Sequence, residues 1–288
     1  MASEQISGAP GLVPPGELEE ARLQAHYALQ VAAALAFSYI PPQPDDSHAS
    51  FGWEVDLGAL ISQTAPDPPP LRSGLRVATL ELLLLREGGK PDSFELDGAT
   101  WSEAYDWMAD TVEKRRAKPV TRPLDRPPYD IPPHPIADGQ AFSFAAPERF
   151  EELARWFEFG ENLLEQLRST EPNASLVRCW PHHFDLATLI RLDPNESGEE
   201  GRSIGVGLSP GDDSYAEPYF YVSPYPEPET RRLPALEFGG HWRREGFVGA
   251  ILPANRLLAE ADPEDRGRRA AAFLTAAVAH CRTLLQGS

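Results

Sequence analysis

The chain is short of cysteine, of basic residues and of long apolar runs, and each shortage excludes something. Only Cys179 and Cys281 occur among 288 residues, so no disulfide framework holds the fold; both read as small buried hydrophobes. Lys and Arg number 26 against 44 Asp and Glu, a formal net charge of −18. A field of that sign repels phosphate backbones and anionic lipid, which argues against a nucleic-acid binder or a membrane-surface protein. No apolar run reaches the roughly 18 residues that a membrane-spanning helix needs. The first residues lack the basic-then-apolar order of a secretory signal, so a cytoplasmic protein is the expectation. Also missing are a Gly-rich phosphate loop, a nucleophile elbow and zinc-ligand spacing, so the sequence names no cofactor and no reaction.

What is present suits a folded domain or two. The 41% hydrophobic content is ample for a core, and the 30 prolines fall mostly between apolar segments, as loop punctuation. Internal repetition comes next. "WEVDLGALI", Trp53 to Ile61, matches "HHFDLATLI", His182 to Ile190, with Asp, Leu, Leu and Ile in register at an offset of 129 residues. A largely apolar segment of helical length, "LEEARLQAHYALQVAAALAFSYI", precedes the first copy. "PERFEELARWFEFGENLLEQLRS", with Pro147 at its start and apolar residues near a 3.6 period, precedes the second. "GLRVATLELLLLRE" after the first copy predicts a buried strand; "SIGVGLS" and "PYFYVSPYP" after the second also predict strands. The halves close with "SFELDG" and a helix from Trp101, and with "GFVGAILP" and a helix ending near Gln286. Thr100 and Glu103 have the spacing of a capping box.

The fold class expected is therefore α+β: two tandem helix–three-strand–helix halves with antiparallel sheets related by pseudo-two-fold symmetry. The boundaries are a flexible N-terminus over 1–16, a scaffold half over 17–117, a proline-rich connector over 118–146 and a second half over 147–288. His134 in the connector is expected to face solvent, and His26 to be a core histidine on the first helix.

The second half holds the candidate site because only its copy carries imidazoles, at His182 and His183. Alternation along an extended strand places His183 and Asp185 on one face, with His182 and Phe184 on the other. Such a pair serves proton transfer, the carboxylate orienting the imidazole. It also serves a divalent metal, with His241 or Glu217 as a distant ligand, or a purely structural role. In the catalytic reading His183, Asp185 and Glu217 act on the substrate. Tyr219 and Tyr221 share a strand face that suits the wall of a small-molecule pocket, and His182, His241 and Arg243 complete the binding residues.

The run "WPHHFDLA", Trp180 to Ala187, with "LSPGD" and "EPYFYVSPYP", resembles a family of uncharacterised bacterial proteins. That family shares a Phe-Asp-Leu-Ala core, a Pro-Gly turn and a Phe-Tyr-x-Tyr-like strand. "SHASFGWEV", His48 to Val55, is similar to its first-half strand. The resemblance implies the duplicated fold, and makes Asp185 and the tyrosine-bearing strand the shared elements, with His182 and His183 particular to this branch. It implies no activity, cofactor or substrate. The expected function is a small-molecule pocket in the second half, in a hydrolase or proton-transfer enzyme using the His–Asp pair. The alternatives are a non-catalytic ligand- or partner-binding protein, and a metal-binding protein using His183, Asp185 and His241.

Overall fold

The computed structural model describes residues 9–116, 123–193, 201–259 and 262–286. These residues form helices and antiparallel strands, an α+β protein, in two compact units. No helix among them is long and apolar enough to cross a membrane.

The first unit comprises Leu18–Ala154 and Cys179–Phe184. It contains α1 (Glu19–Tyr39), β1 (Phe51–Glu54), β2 (Ala59–Ser62), β3 (Leu71–Arg76), β4 (Glu81–Arg86), β5 (Asp92–Glu95), α2 (Trp101–Arg115) and the start of α3 (Pro147–Thr170). With β6 (Arg178–Trp180), its strands run in the order β6-β1-β2-β3-β4-β5. Helix α1 is buried almost all round, as its alanine-rich sequence predicts. Its small side chains let the sheet approach so closely that the Ser73 hydroxyl donates to the Ala32 carbonyl at 2.6 Å. Helix α2 starts on the expected capping box between Thr100 and Glu103.

The second unit comprises residues 9–17, Arg155–Arg178 and the chain from Asp185 on. Besides the rest of α3, it holds β7 (Asp185–Arg191), β8 (Ser203–Ser209), β9 (Tyr219–Tyr225), β10 (His241–Arg243), β11 (Gly249–Pro253), α4 (Ala254–Leu257) and α5 (Pro263–Gln286). Its strands run β10-β11-β9-β8-β7. One row across them, Leu186–Leu208–Phe220–Leu252, is wholly buried. Helix α3 covers that face: Gly160 sits so close that a Cβ would stand 2.4 Å from Leu208 Cδ2, and Phe159 packs edge-on against Phe220 at 6.0 Å. Alternation then puts Asp185, Ala187, Gly207, Ser209, Tyr219, Tyr221, Ile251 and His241 on the opposite, outer face.

The strand count exceeds the three expected per half. "GLRVATLELLLLRE" is not one strand but the hairpin of β3 and β4. Its turn carries no Gly or Pro signal, because Leu80 itself takes the left-handed conformation, φ 48°, inside an apolar run. Strand β10 was not anticipated. The repeat also aligns differently. Trp53 lies on β1, whereas His182 lies in a turn, so the match at offset 129 does not place them equivalently. What recurs is a four-residue turn ending in a left-handed residue: Val55–Gly58 between β1 and β2, Val77–Leu80 between β3 and β4, and Pro181–Phe184 after β6. Among residues 123–146 of the connector, His134 is buried rather than exposed. It caps a short 3-10 turn, accepting from the Ile136 amide, and its Nε2 lies 3.3 Å from Glu20.

Candidate functional site

The expected His183–Asp185 strand pair does not form. Strand β7 begins at Asp185, and His182 and His183 belong to the preceding turn, where Phe184 has φ 58°. A left-handed residue between them breaks the period-two alternation on which a shared face depended. The two histidines belong to the first unit and Asp185 to the second.

The turn is anchored on α1. Its Pro181 carbonyl lies 2.8 Å from His26 Nε2 and accepts from Gln30 Nε2 at 2.6 Å. The His26 imidazole stacks on Phe184 at 5.2 Å and 8°. His26 is thus the core histidine expected, and burial lowers its pKa to about 4. His182 packs between Tyr129, His183 and Trp180, with burial, then His183, lowering its pKa against an opposing pull from Asp46.

The groups that gather are on the outer face of the second unit. Tyr221 reaches from β9 across β8 and donates its phenol proton to Asp185 Oδ2 on β7. Gly207, opposite Tyr221 on one side and Ala187 on the other, permits that reach: a Cβ there would stand 2.5 Å from the Tyr221 ring and hydroxyl. Beside it, Tyr219 donates to Asp212 Oδ2 at 2.6 Å, and the two phenol rings are 6.2 Å apart. Asp212 Oδ1 accepts the amides of Ser214 and Tyr215, the Asx turn that "PGDDS" encodes. Tyr215 leans on Tyr219 at 4.8 Å, and its hydroxyl lies 3.0 Å from His241 Nε2. The Arg243 guanidinium is poised over Phe247 at 4.8 Å and stands 5.9 Å from the Tyr215 ring.

Burial is the first cause of the three perturbed titrations here, and it raises the Tyr215 phenol. It raises the Tyr219 phenol, with the Asp212 carboxylate adding to the effect. It lowers His241, and Arg256 lowers it further. The structure therefore brings together Asp185, Tyr219, Tyr221, His241 and Arg243 of the expected residues, and leaves His182 and His183 in the first unit. Glu217 accepts the Asn255 amide at 2.8 Å and so anchors the start of α4. Asp212, Tyr215 and Gly207 were not anticipated as site residues. Their signals were present in "PGDDSY" and in the alternating glycines of "IGVGLS", which bare one face of β8. Among the described residues no group of three His, Cys, Asp or Glu side chains stands close enough to hold a metal ion, so His183, Asp185 and His241 do not assemble as a ligand set.

Comparison with protein-family models, with curated proteins and with solved structures finds no significant match.

Proposed function

We propose that the outer face of the second unit binds a small, partly apolar molecule, with Asp185 as the group that holds or exchanges a proton with it. One observation carries this reading: two phenol-to-carboxylate hydrogen bonds side by side, Tyr221 to Asp185 and Tyr219 to Asp212. A half-buried sheet face needs no such network for stability. Withdrawing a carboxylate from water costs several kcal/mol, and apolar packing of equal volume often serves stability as well or better. Networks of this kind are kept where they fix the direction of polar groups, and perturbed titrations beside them are a mark of functional sites. Tyr221, rather than His183, is the partner that bonds Asp185, and it orients the carboxylate where Asp185 was expected to orient the imidazole. Tyr215, His241 and Arg243 form the rim.

If the site is catalytic, proton transfer or hydrolysis on a small substrate is the class proposed, with Asp185 accepting the proton and Tyr221 holding the carboxylate in place. Descent of both halves from one copied plan, in keeping with the family resemblance of Trp180 to Ala187, and a cytoplasmic setting are proposed with it.

The test is a thermal-shift screen of small molecules against the wild type and Tyr221→Phe in parallel. Compounds that raise the wild-type Tm and lose most of that effect in the variant support the site. Compounds that stabilise both proteins equally, or none that stabilises the wild type, overturn it.

A further inference from the structure

Tyr215 and His241 at the rim share one hydrogen bond, 3.0 Å from the phenol oxygen to Nε2. A phenol and a neutral imidazole carry one polar proton each, so in either tautomer one proton fills that bond and the other is left over. Arg243 stands beside them. Its guanidinium lies over the Phe247 ring at 4.8 Å and 5.9 Å from the Tyr215 ring, and its Nε donates to the Glu245 carbonyl at 2.7 Å. Those contacts fix the plane of the fork and leave its two terminal nitrogens without a hydrogen-bond acceptor among the described residues. Arg256, exposed on α4, is the charge that acts on His241, and it makes no hydrogen bond or ion pair among the described residues. In a chain of 26 basic and 44 acidic residues carboxylate partners are plentiful, and Arg202 and Arg282 pair with Asp193 and Glu171. Among the described residues Arg243 and Arg256 do not pair in this way.

From these groups we infer that the rim takes the anionic head of the ligand, a carboxylate, so that the molecules bound on this face are small organic acids with an apolar body. The Arg243 fork matches the two oxygens of a carboxylate, the proton left by the Tyr215–His241 pair supplies a further donor, and Arg256 adds a second positive charge. The half-buried rings of Tyr215 and Tyr221 offer apolar surface beside it. The carboxylates of this face do not cancel the rim. Asp212 already accepts from the Ser214 and Tyr215 amides and from the Tyr219 phenol. Asp185 on β7 lies four strand spacings from β10, about 19 Å, against a Debye length of about 8 Å at physiological salt. The chain's formal charge of −18 slows the approach of an anion but is screened over the same length.

This inference rests on the site proposed above and fails separately from it. Phenylacetate, phenylacetamide and phenethylammonium are titrated at matched ionic strength, with the imidazole resonances of His241 and the ring resonances of Tyr215 followed by NMR. Phenylacetate is expected to bind about tenfold more tightly than the amide, the factor that a hydrogen bond to a charged group supplies, with phenethylammonium weakest. Arg243→Gln and Arg256→Gln are each expected to remove most of the preference for acid over amide. Equal binding of acid and amide, or preference for the ammonium, overturns the inference and leaves the site standing. Acid preference that survives both arginine substitutions overturns it too, as do resonances unmoved by all three probes. The parallel screen on Tyr221→Phe judges the site itself. The acid–amide comparison needs only wild-type protein, so it decides the matter even if an arginine variant does not fold.

Discussion

A missing side chain at Gly207 lets a phenol on one strand reach a carboxylate two strands away, and this gives the sharpest prediction at the scale of single residues. Gly207→Ala sets a methyl 2.5 Å from Tyr221 and from the Leu186 carbonyl oxygen. It is expected to cost about 1–3 kcal/mol of stability through overpacking and to move the phenol off Asp185. Tyr221→Phe removes the hydroxyl without the clash, at a cost of about 1.5–3 kcal/mol for a hydrogen bond to a charged group. Urea melts of both variants and the double variant check this: the two costs should not add, because each breaks the same contact.

Glu161 on α3 is a second residue with a measurable signature. Burial, then the neighbouring Glu165, raises its pKa from 4.5 to about 7 against the pull of Arg178 and Arg168. The folded state therefore binds more protons than the unfolded one between those values, and its contribution to stability falls as pH rises from 4.5 to 7. Glu161→Gln is expected to remove that fall, measured as the slope of unfolding free energy against pH.

At the scale of elements, the Pro181–Phe184 turn shows a local structure held by a distant helix. Two donors from α1 meet its single Pro181 carbonyl, and His26 stacks on the residue whose φ is positive. His26 has the opposite linkage to Glu161. Its pKa is lowered from 6.5 to about 4, so the unfolded state binds the extra proton in that window. Stability from this group is complete above pH 6.5 and is lost as pH falls toward 4. His26→Gln, which keeps an amide donor for Pro181, should flatten the acid limb of the stability profile of the first unit. An unchanged acid limb would show that the imidazole is charged or exposed in the native protein.

For the whole molecule, charge dominates. A formal −18 spread over 288 residues imposes self-repulsion on any compact state. Raising sodium chloride from about 10 mM to about 150 mM shortens the Debye length from about 30 Å to about 8 Å, so the melting temperature should rise with salt. A Tm that falls with added salt would mean that attractive pairs such as Arg202–Asp193 and Arg282–Glu171 outweigh the repulsion.

The amino-acid order alone determined the helices, because their signals are local. The apolar wrap of α1, the Thr100–Glu103 box and Pro147 at the head of α3 each act within a turn or two. Alternation determined that Tyr219 and Tyr221 share a face. The tertiary structure decided where strands end and who meets whom. Leu80 and Phe184 hold left-handed conformations that their residue types do not announce, so a hidden turn at Val77–Leu80 and the break before β7 were illegible. The partner of Asp185 lies 36 residues away on β9, and pairing at that distance depends on strand register, a property that no short stretch of chain carries by itself.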